Sequence, residues 1–235
     1  MARTLTVAVE RFPIAGTFTI SRGAKTEAVV VTATVADGQA TGRGECVPYA
    51  RYGESVDSVV AAIESVRAEV EAGCGRGELQ GLLSAGAARN ALDCALWDLE
   101  AKLSGESVEA IAGVAPVHTV TTVYTISIMT PAEMIALAAK ERDRPFLKIK
   151  LGHFADDRER LEGIRKAAPD AKLIVDANEG WSFDQLKVMA KVAADCGVVM
   201  LEQPMHATKD EVLKDFASPV PMGADESCHT RADLE

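Results

Sequence analysis

The sequence predicts an α/β protein in two parts: an α+β region over residues 1–114, then a (β/α) barrel-type repeat over residues 115–235. Three observations carry this. Strand-like alternation is confined to roughly the first 46 residues, two amphipathic helical stretches follow, and from about Val117 short apolar runs alternate regularly with helix-like segments.

In the first part, Leu5, Val7 and Val9 alternate with polar neighbours, as do Val29, Val31, Ala33 and Val35. Asp37-Gly38 supplies a turn before Ala40 to Cys46, which predicts a small antiparallel sheet with at least one hairpin. Helical spacing begins at Glu54: Val56, Val59, Val60, Ile63, Val66 and Val70 form one apolar face, and Gly73 stops it. A second helix is expected from an N-cap at Ser84 to Leu103, with Ala88, Leu92, Ala95, Leu96 and Leu99 on its buried stripe and Gly105 at its end.

In the second part the apolar runs are Val120–Ile128, Phe146–Leu151, Lys172–Val175, Val198–Leu201 and Val220–Gly223. Helix-like segments begin near Pro131, Phe154, Ser182 and Thr208. Apolar runs buried on both faces and separated by helices imply right-handed βαβ units and a parallel sheet. The short, regular period favours a barrel over an open doubly wound sheet, and no Gly-rich phosphate turn follows the first strand.

Composition narrows the function classes. Acidic residues outnumber basic ones 35 to 25, giving a net charge of -10, so nucleic acid and anionic membranes would be repelled. The five cysteines are scattered without ligand-like spacing, which suggests buried thiols in a reducing compartment. No basic-plus-apolar leader and no membrane-length apolar run is evident, so a cytoplasmic protein is expected.

The chemistry is written at the ends of the runs: Lys148-Ile149-Lys150, Asp176-Ala177-Asn178, Glu202-Gln203-Pro204 and Asp225-Glu226. Parallel α/β architectures collect catalytic groups at the carboxyl ends of strands. Asp176, Glu202 and Asp225 come from successive strands, which would bring three carboxylates side by side. Hard oxygen donors without His or Cys suit Mg²⁺, with Mn²⁺ as the second choice. Any one carboxylate could instead cap the following helix, but three in register beside two lysines make that reading a poor one. Lys148 and Lys150 are two apart on a strand and so share a face. Crowding and partial desolvation are expected to lower a lysine pKa toward the range of a general base. His118, His153, His206 and His229 are read as surface or loop residues without a role.

Together, the K-x-K, D-x-N, E-Q-P and D-E-S strand ends resemble the muconate-lactonizing branch of the enolase superfamily, over essentially the whole chain. Enolase-superfamily sites pair a Lys or His base with Mg²⁺. The resemblance therefore implies α-proton removal next to a carboxylate, through an enediolate. Asp176, Glu202 and Asp225 would be metal ligands, Lys150 the proton-transferring base and Lys148 its neighbour on the substrate carboxylate. Asn178 would stand just behind the metal ligands.

The stretches Thr17–Gly23, Gly44–Tyr49, Arg51–Ser55 and Ala87–Asp93, with Ala224 to Arg231, are similar to the L-Ala-D/L-Glu dipeptide epimerases. This implies that the first part caps the barrel mouth and that a small dipeptide, of the kind released in murein peptide metabolism, is the substrate. Arg22 would face a glutamate side-chain carboxylate, though it also reads as a surface charge. Thr125 is a further pocket candidate. A homo-oligomer is compatible with the resemblance. That family also carries a second lysine and an Asp-x-Asp pair on later strands, so the barrel is expected to be incomplete here and the chain a fragment of a longer protein. The alternatives are another racemase or cycloisomerase of the superfamily, or an inactive metal-binding fragment.

Overall fold

The computed structural model describes residues 2–234 and divides into two compact units, Met1–Ile14 with Glu27–Thr119, and Ala15–Thr26 with Val120–Glu235. A three-stranded sheet runs β1 (Thr4–Ile20), β2 (Gly23–Asp37) and β3 (Ala40–Cys46) in that order. β2 and β3 pair antiparallel from Val31↔Cys46 to Asp37↔Ala40, which leaves Gly38 (φ 62°) and Gln39 as the turn. The left-handed backbone there is the reason for glycine.

A 3-10 helix (Ala50–Tyr52) and five described α-helices complete the first unit: α1 (Val56–Ser65), α2 (Arg67–Glu71), α3 (Arg76–Leu82), α4 (Ala87–Ser104) and α5 (Val108–Ala112). The single helix expected from Glu54 to Gly73 is thus broken at Val66, whose φ/ψ of -110°/14° leaves the helical region. Its apolar face survives the break, since Val59, Ile63, Val66 and Val70 all lie in one core. Nor does Ser84 cap α4. The N-cap is Gly86, and the Glu54 carboxylate accepts from the first helical N–H, that of Ala87, at 2.6 Å while also accepting from Tyr49 N–H at 3.1 Å. A carboxylate at a helix N-terminus satisfies an orphan donor and meets the positive end of the dipole.

α4 lies on β3 at backbone contact. A Cβ added to Gly44 would fall on the carbonyl oxygen of Ala91, and one added to Gly42 on that of Ala95. The glycines of the strand and the alanines of the helix are therefore one packing device. Gly44→Ala is expected to destabilise the protein by about 1–3 kcal/mol or more, since the obstacle is backbone and cannot rotate away. A urea melt showing wild-type stability would contradict this contact.

The second unit is a five-stranded parallel sheet in sequence order, β4 (Tyr124–Ile126), β5 (Phe146–Lys150), β6 (Lys172–Asp176), β7 (Val198–Glu202) and β8 (Met222–Gly223). Helices α6 (Pro131–Lys140), α7 (Phe154–Ala167) and α8 (Phe183–Asp195) connect successive strands. This is the expected (β/α) architecture, with β4 and β8 at the sheet's edges. α6 and α8 start with capping boxes, Thr130 with Glu133 and Ser182 with Gln185. Two expectations change. The run Val120–Ile128 contributes only three residues of strand, and Val120 is 70% exposed. The segment near Thr208 is a 3-10 helix, Ala207–Asp215, with no buried residue. Apolar residues of the strands and helices, including Leu147, Ile149, Leu173, Val175, Leu161 and Leu186, form one core. The hairpin tip within Ala15–Thr26 packs in this unit too, where Ile128 N–H donates to Thr19 O.

Candidate active site at the carboxyl ends of the parallel strands

The strand register builds the site. Along β5, Leu147 and Ile149 are fully buried in the core, so Lys148 and Lys150 project from the opposite face. Lys150 is paired with Asp176 and Asp176 with Glu202, while Thr125 is paired with Lys148. The Lys148 ammonium bridges two strands, 3.0 Å from Asp176 Oδ2 and 2.7 Å from Glu202 Oε2. The Lys150 ammonium lies 2.5 Å from the same Asp176 oxygen and donates to Asn178 Oδ1 at 3.0 Å. The other Asp176 oxygen accepts from Asn178 N–H at 2.9 Å. A fully buried carboxylate is thus satisfied by two cations and a backbone donor.

The electrostatics correct one expectation. Burial pulls the Lys148 pKa down, but hydrogen bonding to Glu202 and the charge of Asp176 outweigh it, and the group titrates above the ordinary lysine value. Carboxylates, rather than its fellow ammonium, set its environment. Asp176 is pushed up by burial, yet Lys150 and Lys148 hold it below the usual carboxylate range. Glu202 moves the other way. Burial raises it, Lys148 opposes, and the charges of Asp176 and Asp225 add to the rise.

Around these groups stand further residues, of which Glu179, Gln203 and Glu226 have no role assigned by the motifs. Asn178, Glu179 and Gln203 have positive φ values of 43°, 66° and 33°. Left-handed backbone at non-glycine residues is strained, and such strain gathers at functional loops. Gln203 is buried, and its amide fastens the loop after β8. Glu226 is buried as well, with Oε1 2.6 Å from Arg22 Nη2 and Oε2 without a hydrogen-bond partner. Arg22 also meets Glu179 Oε2 at 3.1 Å and donates to Asn178 O at 2.9 Å. Asp157 and Arg160 of α7 form a buried ion pair at 3.1 Å.

Lys148, Lys150, Asp176, Glu202 and Asn178 are therefore brought together. Arg22 reaches the same loop through Asn178 and Glu179, and Thr125 lies beside Lys148 in the register. Asp225 is exposed at the end of β8, near enough for its charge to be felt at Glu202. His118, His153, His206 and His229 are exposed. Among the described residues no three His, Cys, Asp or Glu side chains converge as a ready-made metal cluster. The Lys148 ammonium bridges Asp176 and Glu202 at 3.0 and 2.7 Å. The donor chemistry still fits a hard divalent cation, because two carboxylates already share one positive charge and a third lies alongside.

A parallel α/β sheet with lysines and carboxylates on its carboxyl ends, preceded by an α+β unit, is the arrangement of the enolase superfamily. The chain belongs to its mandelate racemase / muconate lactonizing enzyme family: residues 2–113 match that family's N-terminal domain and residues 133–235 the enolase C-terminal domain-like family. Within it, the chain is 46% identical to the L-Ala-D/L-Glu epimerase of Escherichia coli, covering 99% of this chain and 73% of that protein. It is also similar to a solved enolase family member of Agrobacterium tumefaciens with homology to dipeptide epimerases, bound to sodium and L-Ala-L-Glu. There the TM-score is 0.95 and the identity 51%, over 99% of this chain and 71% of that one. A dipeptide epimerase of Cytophaga hutchinsonii complexed with Mg and D-Ala-L-Val superimposes with a TM-score of 0.88 at 26% identity, over 99% and 68% of the two chains.

Proposed function

We propose that the protein is a Mg²⁺-dependent dipeptide epimerase of the L-Ala-D/L-Glu type, acting by α-proton abstraction in murein peptide metabolism. The observation that carries this reading is the array in which Lys148 and Lys150 share the Asp176 carboxylate at the ends of adjacent strands. The likeness to dipeptide epimerases from several organisms supports the substrate class.

In this reading Asp176, Glu202 and Asp225 hold the metal. Bound there, Mg²⁺ would offset the negative charge that develops on the substrate carboxylate as the α-proton leaves. Lys150 takes the proton from Cα at Nζ, and Asn178 Oδ1 fixes the direction of that nitrogen. Lys148 holds its positive charge beside the substrate carboxylate, where negative charge grows as the α-carbon loses its proton. Thr125, its neighbour in the register, lines the same face. Arg22 faces the glutamate side-chain carboxylate with a guanidinium fork that already meets two carboxylates here, Glu226 at 2.6 Å and Glu179 at 3.1 Å. A cytoplasmic setting fits five cysteines that are all free thiols, together with the absence of any helix, among the described residues, long and apolar enough to cross a membrane.

The test is deuterium incorporation at the glutamyl Cα in D₂O, followed by proton NMR with Mg²⁺ and each Ala-Glu stereoisomer. Exchange with L-Ala-D-Glu or L-Ala-L-Glu is expected. No exchange with any Ala-Glu stereoisomer would remove the dipeptide assignment.

A further inference from the structure

We propose that Gln203 is the positioning residue for the third metal ligand, and that its amide sets how tightly and how selectively the site takes Mg²⁺. The proposal rests on the assignment of Asp225 as a ligand and adds a residue with no metal-binding atom of its own.

Asp225 differs from the other two carboxylates in its support. Asp176 is locked by two lysines and a backbone N–H, and Glu202 by Lys148. Asp225 is exposed and follows a strand of only two residues, Met222–Gly223. A ligand on so short a strand needs another anchor, and Gln203 supplies it. Its Oε1 accepts from both Asp225 N–H at 2.9 Å and Ser227 N–H at 3.0 Å. Its Nε2 donates to Met205 O at 2.8 Å and to Ser227 Oγ at 2.7 Å. Its own backbone N–H donates to Gly223 O at 2.9 Å. One residue thereby fixes Gly223, Asp225 and Ser227, directly after Glu202 in the chain.

The amide is buried with both ends satisfied, and two N–H donors converge on one atom, which must therefore be the oxygen. Gln203 also holds a left-handed backbone (φ 33°), a conformation that persists only when surrounding bonds over-determine it. Glutamine is not a residue chosen for that conformation, so its side chain is the reason it stands there. The side chain reaches across from the strand bearing Glu202 to the loop bearing Asp225, and so sets the separation of two ligands.

Mg²⁺ demands near-ideal octahedral geometry at about 2.0–2.1 Å, whereas Ca²⁺ accepts roughly 6–8 oxygens in flexible arrangements. Loosening Asp225 should therefore harm Mg²⁺ more than Ca²⁺. The experiment is calorimetric titration of the whole chain with Mg²⁺ and with Ca²⁺, for wild type, Gln203→Met and Gln203→Asn. Gln203→Met keeps the side chain's length and deletes every amide bond. Gln203→Asn suits the backbone and withdraws the amide by one methylene. Mg²⁺ affinity is expected to fall about 10–100-fold in Gln203→Met, the usual effect of losing a group that orients a ligand, with a clearly smaller fall for Ca²⁺. Gln203→Asn should change the Mg²⁺/Ca²⁺ ratio in the same direction by less, and it carries the test if the methionine variant does not fold. Mg²⁺ affinity within about twofold of wild type would overturn the proposal, as would equal losses for both ions with a lowered melting temperature, the mark of a merely structural residue. If the wild-type chain binds neither ion, the metal assignment itself fails and takes the proposal with it. If Asp225→Asn weakens Mg²⁺ binding while neither Gln203 variant does, only the proposal fails.

Discussion

Lys150→Ala is expected to lower α-proton exchange by about 10²–10⁴-fold with one of the two stereoisomers, L-Ala-D-Glu or L-Ala-L-Glu, the range that a positioned general base contributes. The single-stereoisomer signature follows from geometry: a base on one strand addresses one face of the α-carbon. Divalent-metal affinity should stay level or rise. The variant leaves Asp176 its bonds from Lys148 at 3.0 Å and Asn178 N–H at 2.9 Å, and it removes one positive charge 2.5 Å from a proposed ligand. Lys148→Ala differs in kind, because Lys148 also touches Glu202 and is held protonated by both acids. NMR exchange with each stereoisomer, alongside metal titration of the same variant, separates the roles. Loss of metal binding instead would mean that Lys150 serves the metal rather than the proton.

Much of this site could be read from sequence because strands impose simple rules. A period of two sets Lys148 and Lys150 on one face, and a regular βα spacing brings Asp176 beside Glu202. What could not be read depends on bonds between uncharged or unremarkable groups. Gln203 acts through backbone N–H groups 22 and 24 residues on, and an amide between a carboxylate and a proline carries no spacing signal. The Glu54 cap on α4 is hidden likewise, since Ser84 was the residue with cap chemistry while Gly86 takes the position. Arg22 was legible as a cation near the mouth, but its two acidic partners lie in loops far along the chain. Ammonium–ammonium crowding does not predict the raised Lys148 pKa, because Asp176 and Glu202 both lie against that lysine. The shortening of the run Val120–Ile128 to β4 and the 3-10 segment near Thr208 share a cause: β-branched or amphipathic composition sets a propensity, and tertiary burial decides how much of it is used.

Asp157 was missed for a different reason, and it carries the largest expected effect on stability. In Phe-Ala-Asp-Asp-Arg-Glu-Arg it looks like one more solvated helix charge, yet it lies on the stripe with Leu161 and Ile164 and is fully buried. A charge on the apolar stripe of an amphipathic helix is the signal that marks it. Its Oδ2 accepts from Gly152 N–H and from Trp181 Nε1, both at 2.9 Å, and its Oδ1 from Arg160 Nη1 at 3.1 Å. Arg160 donates in turn to Met129 O at 3.1 Å. The pair thus ties together the loops that follow β4, β5 and β6, immediately behind Lys150 and Asp176. Asp157→Ala leaves the Arg160 charge without its buried partner and two N–H donors unmet, so a loss of about 3–5 kcal/mol is expected in urea unfolding. The double variant Asp157→Ala with Arg160→Met should lose less than Asp157→Ala alone, because the stranded charge goes with its partner. A single-variant loss below about 1 kcal/mol, or a double variant that loses the sum of the two singles, would mean that the buried pair does not hold the active-site loops.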